Sequence, residues 1–222
     1  MTVSGMRNHS SAMRKITILG ATGPTGRHIV SQALRGGYDV TALVRSLAKA
    51  SDMQGARLVV GDARDETALL QAIHGSDAVI SALGTPASPF RAVTLLSSVT
   101  KSLVKAMEAE NVSRLVAISG IGAGDSRGHG GFAFDRVIFP LLLRHVYADK
   151  NRQEAVIRQS GLDWTIVRPA VLNNKPARNA VRALTDLSQF HGGQVSREDV
   201  AKFVLDEVQE KVWSRQSPLI AW

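Results

Sequence analysis

Lys15-Ile16-Thr17-Ile18-Leu19-Gly20-Ala21-Thr22-Gly23-Pro24-Thr25-Gly26 decides how the rest of the chain is read. Ile16 to Leu19 is a short, β-branched and apolar run that suits a buried strand. From Thr25 to Leu34 the apolar residues return at helical spacing until Gly36-Gly37, a pair free to take the left-handed cap conformation. Between strand and helix stand Gly20, Gly23 and Gly26, in the order G-x-x-G-x-x-G. Glycines at such a junction let backbone approach a large ligand closely, and the helix start offers unpaired N–H groups and the positive end of the helix dipole. That combination holds a diphosphate; the plainer alternative is an ordinary glycine turn.

The chain beyond this turn keeps alternating. Short apolar runs at 40–44, 58–60, 78–82, 115–118 and 164–167 read as strands, with 219–221 as a last one. Helical periodicity fills the intervals: 66–73 with Asp65 as N-cap, a long helix over 92–110, a region broken near Pro140 that runs on to Gln159, and a final helix opened by Ser196 with the acidic Glu198 and Asp199 in its first turn. A glycine-rich loop occupies 120–131. Strand and helix in alternation predict an α/β fold, a doubly wound parallel sheet of Rossmann type. We expect one domain over 14–222, a small C-terminal lid over 172–195, and a flexible extension over 1–13.

Composition narrows the classes. The 222 residues, 44% of them hydrophobic, suffice for one substantial core, and the absence of cysteine excludes disulfides, thiolate metal sites and cysteine nucleophiles. No apolar run reaches the roughly 20 residues that span a bilayer, and residues 1–13 lack the apolar stretch of a secretory signal. A cytoplasmic protein with no membrane partner is the expectation. The net charge of +8 favours anionic ligands, but lysine and arginine are spread along the chain without a basic block, so no specific nucleic acid is expected. The six histidines show no metal-ligand spacing, and no metal is expected.

The end of the second strand says which dinucleotide is meant. An NAD-selective site places an acid about 20 residues past the turn to accept from the ribose hydroxyls. Here that place holds Arg45, followed by Ser46. A guanidinium there suits a 2′-phosphate, so NADP(H) is expected before NAD(H).

With the turn at 20–26, Leu43-Val44-Arg45, Gly61-Asp62, Ser81-Ala82-Leu83-Gly84 and Ser160 to Pro169 (SGLDWTIVRP) in view, residues 14–212 resemble the atypical short-chain dehydrogenase/reductases, in particular the flavin reductase/biliverdin reductase B-like and NmrA-like NAD(P)-binding proteins. The resemblance implies that Thr22, Pro24 and Thr25 line the diphosphate and Arg45 meets the adenosine phosphate. Asp62 and Ala63 would border the adenine, and Leu83, Gly84 and Pro169 the nicotinamide side. Asp62 can equally be a turn stabiliser, and Ser119, at the end of the fifth strand, can contact nicotinamide or substrate or simply bond its own backbone. Tyr147 and Lys150 are three apart where the family's catalytic pair is four apart; the resemblance instead aligns Lys150 and Glu154 with its tyrosine-independent members. Lys150 would then bind the nicotinamide ribose, steadied by Glu154 one turn on. The histidine that biliverdin reductase-like proteins carry after the sixth-strand proline is absent from Pro169-Ala170-Val171.

The function these features imply is an NADPH-dependent oxidoreductase, monomer or homodimer, that passes hydride to a planar acceptor such as a flavin or quinone, with Ser119 and Lys150 as catalytic candidates. The alternative is a non-catalytic NADPH-binding redox sensor or regulatory protein. A sugar-nucleotide epimerase fits less well, because that chemistry leans on a tyrosine base and a larger C-terminal domain.

Overall fold

A computed structural model describes residues 14–222; the expected extension over 1–13 lies outside the described residues. Its strands are β1 (Lys15–Leu19), β2 (Asp39–Val44), β3 (Arg57–Val60), β4 (Ala78–Ser81), β5 (Arg114–Ile118), β6 (Asp163–Pro169), β7 (Val171–Asn173), β8 (Arg182–Leu184), β9 (Gln194–Ser196) and β10 (Leu219–Ala221). Eight of them form one sheet in the order β3-β2-β1-β4-β5-β6-β10-β8. From β3 to β10 every neighbouring pair is parallel, and β8 closes the edge antiparallel to β10. The order reverses between β1 and β4, where a doubly wound sheet leaves a crevice at the carboxyl ends of its strands.

The helices are α1 (Pro24–Arg35), α2 (Glu66–Ile73), α3 (Leu95–Ala109), α4 (Arg144–Gln159) and α5 (Arg197–Glu210). Ile29, Val30 and Ala33 of α1 and Val200, Val204 and Val208 of α5 pack on one face of the sheet against Ile16, Ile18, Ile80 and Val116. On the other face Leu69 and Ile73 of α2, Leu103 and Met107 of α3 and Ile157 of α4 meet Val79, Leu115, Trp164 and Ile166. Alternate strand residues thus serve opposite layers, which is why the strands read as continuous apolar runs. Buried Arg114, at the start of β5, ties α5 to the sheet through Glu207 at 2.8 Å.

Two expected caps are present: the Asp65 side chain accepts from the Thr67 N–H, and the Ser196 side chain from the Asp199 N–H. The long helix starts at Leu95 rather than Ala92, because its first turn is capped from outside. The carboxylate of Asp149, wholly buried in α4, accepts from the Leu96 N–H at 2.8 Å and from the Ser97 hydroxyl. The break expected near Pro140 is a wide π-helical stretch, Phe134–Leu143, with the proline inside it. Proline has no N–H to give and its ring crowds the preceding turn, and a wider coil makes room for the ring.

Residues 172–195, expected as an appended lid, are held by strands: β7 pairs with β9 in a small parallel sheet, and β8 belongs to the main sheet. Leu187 and Phe190 of the same stretch are buried with Ile121, Ala170 and Leu219.

Candidate functional site

Two cavities open at the carboxyl ends of the strands, the first over β1 to β4 and the second over β5 and β6. The first, about 490 Å³, is bounded by the β1 turn (Gly20, Thr22, Gly23), the end of β2 (Arg45), the loop after β3 (Asp62, Ala63) and the loop after β4 (Leu83, Gly84). The three glycines of the turn have different causes. Gly20 has φ +77°, and a Cβ there would stand 2.5 Å from the Ala82 carbonyl oxygen. A Cβ on Gly26 would overlap the Gly20 carbonyl and the Ala21 backbone, so Gly26 seats α1 against β1. Gly23, the N-cap of α1, lines the cavity and has no side chain to cap the helix; a Cβ there would stand 3.2 Å from the Gly20 carbonyl oxygen. The first-turn N–H groups of α1, which have no carbonyl a turn earlier, are therefore available to a ligand.

The rim is cationic. Arg45, Lys49 and Arg64 all line it. Arg64 is committed to Asp62, donating to both carboxylate oxygens (Nε–Oδ1 3.0 Å, Nη2–Oδ2 2.7 Å). Those hydrogen bonds, ahead of the charge itself, hold the Asp62 carboxyl down at about 2. Asp62 also accepts from the Arg64 N–H at 2.9 Å, so it does stabilise its own turn, and it does so on the cavity wall. The Arg45 guanidinium and the Lys49 ammonium have no hydrogen-bond or ion-pair partner among the described residues.

The second cavity, about 640 Å³, lies over β5 and β6 and is lined by Ser119, Ile121, Phe134, Tyr147, Lys150 and Pro169, with Phe132, Ile138 and Leu172 at its outer side. Its wall is largely apolar, and three polar side chains converge on it. The hydroxyl of Ser119, a residue 7% exposed, is buried and has no partner among the described residues. The Lys150 ammonium donates to the Ser119 carbonyl at 2.5 Å. Burial pulls its pKa down to about 8, against the opposing pull of the Glu154 charge. Tyr147, buried beside it, has its hydroxyl pushed up to about 12, first by burial and then by the Asp135 charge. A Cβ on Gly120 would stand 3.3 Å from the Tyr147 hydroxyl and 3.4 Å from Lys150 Nζ, so the two groups meet over this glycine.

The sequence candidates therefore divide. Gly20, Thr22, Gly23, Arg45, Asp62, Ala63, Leu83 and Gly84 line the first cavity; Ser119, Lys150 and Pro169 line the second. Pro24, Thr25, Gly26 and Ser46 stand behind or beside the turn without lining either cavity. Glu154 requires a correction. Its charge is felt at Lys150, but it makes no hydrogen bond or ion pair there: its carboxylate accepts from buried Arg168 of β6 (Oε1–Nε 3.0 Å, Oε2–Nη2 2.7 Å) and from Arg158. The stronger partner wins because a guanidinium buried in a strand has to be met by a carboxylate, and Arg168 offers it a bidentate fork. Arg168 also donates to Asp125 at 2.5 Å, which pins the loop after β5. Lys49 and Arg64 were not foreseen, and Tyr147 was named but set aside for its spacing from Lys150. Tyr147 carried a usable signal, since residues three apart share a helix face just as residues four apart do.

A glycine turn under an uncapped helix, a cationic rim and an orphaned serine hydroxyl at the neighbouring strand end fit a phosphate-rich dinucleotide. They define a Rossmann NAD(P)H-binding protein with an oxidoreductase-like fold. Residues 20–211 match the family model described as NAD(P)H-binding, and the chain belongs to that family. It is 29% identical over 204 residues to YhfK of Bacillus subtilis (strain 168), named as an uncharacterized sugar epimerase, with 89% of each chain covered. Among solved structures it is similar to a short-chain dehydrogenase/reductase from Veillonella parvula DSM 2008 in complex with NADP (TM-score 0.79, 24% identity, 95% of each chain). It is also similar to the anaerobillin reductase ChuY of Escherichia coli O157:H7 (TM-score 0.80, 22% identity, 93% of this chain and 96% of that one). The NAD(P)-binding atypical short-chain dehydrogenase/reductase resemblance is thus upheld at the level of fold and cofactor.

Proposed function

We propose that the chain is an NADPH-dependent reductase of planar, largely apolar acceptors such as quinones or flavins. The observation that carries this reading is the second cavity, an apolar, aromatic-walled space that begins where the nicotinamide end of a dinucleotide would leave the β1–β4 crevice. The bound cofactor supplies the reducing equivalents.

The chain's own residues supply grip and alignment. Gly23 and the α1 N-terminus hold the diphosphate, Arg45 and Lys49 hold a 2′-phosphate at the rim, and Lys150 with the Ser119 hydroxyl orients the nicotinamide ribose. Tyr147, protonated throughout the ordinary pH range, donates a hydrogen bond to a carbonyl oxygen of the acceptor and keeps it oriented over the cofactor. Segment 172–195 closes the outer side through Leu172.

The presence of Tyr147 favours turnover over a purely sensory role, because the cavity holds a proton-bearing group beside Lys150. NADPH oxidation followed at steady state with FMN, FAD, short-chain quinones and a bilin separates the two. Turnover with one of these acceptors is expected, whereas saturable NADPH binding with no turnover across the panel would replace the reductase by the sensor.

A further inference from the structure

Among the described residues no helix is long and apolar enough to cross a membrane. The π-helical stretch before α4 nevertheless carries an unusual surface. Phe132, Val137, Ile138, Leu141 and Leu142 are 41–81% exposed. Val137 with Leu141 and Ile138 with Leu142 are each one turn apart, so the exposed side chains form a face rather than a scatter. Folded chains seldom leave so much apolar surface together in water unless something covers it.

The charges on this stretch indicate what does. Arg136 and Arg144 are exposed beside the apolar residues, and the single acid, Asp135, is half-buried and turned toward Tyr147 closely enough to raise its pKa. Every exposed charge on residues 132–144 is therefore positive, on a chain of net charge +8. Apolar side chains flanked by arginine, without a competing carboxylate, match the headgroup boundary of an anionic bilayer. A second copy of the chain is a poorer match, since an isologous contact would bring Arg136 and Arg144 of each copy toward those of the other. Phe132 and Ile138 also belong to the wall of the second cavity, so that cavity opens onto this same face.

We infer that residues 132–144 dock on an anionic lipid surface with the mouth of the second cavity against the membrane. An apolar ligand dissolved in the bilayer then reaches the cavity without crossing water. That the ligand is the electron acceptor rests on the reductase reading; the docking does not. The inference departs from the expectation of no membrane partner, which addressed spanning segments and basic blocks only.

The test is sedimentation of the full chain with vesicles of phosphatidylcholine alone and of phosphatidylcholine containing about 30% phosphatidylglycerol. Binding to the anionic vesicles is expected to be at least about tenfold tighter and to weaken as salt is raised. The double variant Leu141→Glu/Leu142→Glu, at positions that do not line either cavity, should lose at least about tenfold in vesicle binding with NADPH affinity and solution mass unchanged. Absence of binding to anionic vesicles overturns the inference. So does wild-type binding by the double variant, which would make the attraction one of diffuse charge. A wild-type dimer that the variant splits would make the face an interface between copies. Equally tight, variant-sensitive binding to polyglutamate would make the partner an acidic polypeptide. None of these readouts needs turnover, so a failed acceptor panel leaves the docking result interpretable.

Discussion

Replacing Arg45 by alanine separates the two pyridine nucleotides, and the structure sets the size of the effect. Three cations line the rim of the first cavity, but Arg64 is already spent on Asp62 through two hydrogen bonds. Arg45 and Lys49 are left to answer a 2′-phosphate. Charge-assisted hydrogen bonds are worth about 1.5–3 kcal/mol each, and an exposed rim puts Arg45 in the lower half of that range because solvent and salt screen it. The expected loss is therefore about 1.5–2 kcal/mol, or roughly 10- to 30-fold in Kd for NADPH. NADH, which presents only ribose hydroxyls at this end, should weaken less than about threefold. Titration calorimetry with both nucleotides, at fixed ionic strength, reads the difference directly. Raising the salt should shrink the NADPH gap between wild type and variant. Equal losses for the two nucleotides would refute the assignment of Arg45 to the phosphate, and an unchanged NADPH affinity would hand the role to Lys49 alone.

Three further outcomes follow from the same geometry. Gly26→Ala drives a methyl into the Gly20 carbonyl, so both stability and nucleotide binding should fall, with about 1–3 kcal/mol lost in denaturant unfolding; a stable variant with intact binding would show that the turn gives way more easily than its packing suggests. Arg168→Met leaves the buried Glu154 carboxylate with only the half-exposed Arg158 at 3.3 Å and should cost about 2–4 kcal/mol, part of which Glu154→Gln in the same chain restores; single and double variants of equal stability would contradict a buried ion pair. The Lys150 pKa of about 8 lies below its unfolded value near 10.4, so the free protein should bind fewer protons than the unfolded chain between those pH values and gain stability as pH rises through that window. Lysine-resolved NMR titration and pH-dependent denaturation, each compared with Lys150→Met, check this, and a midpoint near 10 would remove burial as the governing influence.

Much of this architecture can be read from residues alone, because local and global preferences agree. The apolar runs, the glycine turn and the caps at Asp65 and Ser196 each demand the same element in the same place. The last strand, 219–221, was legible for the same reason. What escaped was decided by residues distant in sequence. Asp149 caps a helix through the Leu96 N–H, 53 residues earlier, and no local pattern announces such a partner. β8 consists of Arg182, Ala183 and Leu184, too short and too polar to read as a strand until β10 supplies an edge. Glu154 looked like the partner of Lys150 because four residues make one turn, but the arginine that captures it sits on β6, across the layer. That arginine was itself a clue: a charge at the inner end of an apolar strand must find a counter-charge from a packed helix. For the cavity rim, position along the chain located Arg45, whereas Lys49 and Arg64 needed the loops to be folded before they came into view.

The glycine turn has a bearing on how such signatures are interpreted across a lineage. Gly20 and Gly26 answer to neighbouring main chain, and selection for a well-folded domain would preserve them in a descendant that had abandoned its nucleotide altogether. Gly23 is the least constrained of the three by main chain, with a Cβ there 3.2 Å from the Gly20 carbonyl oxygen, and it also faces the space an occupant would fill. Drift at that one position, with its two companions intact, would be the earliest mark of a fold kept after its cofactor was given up.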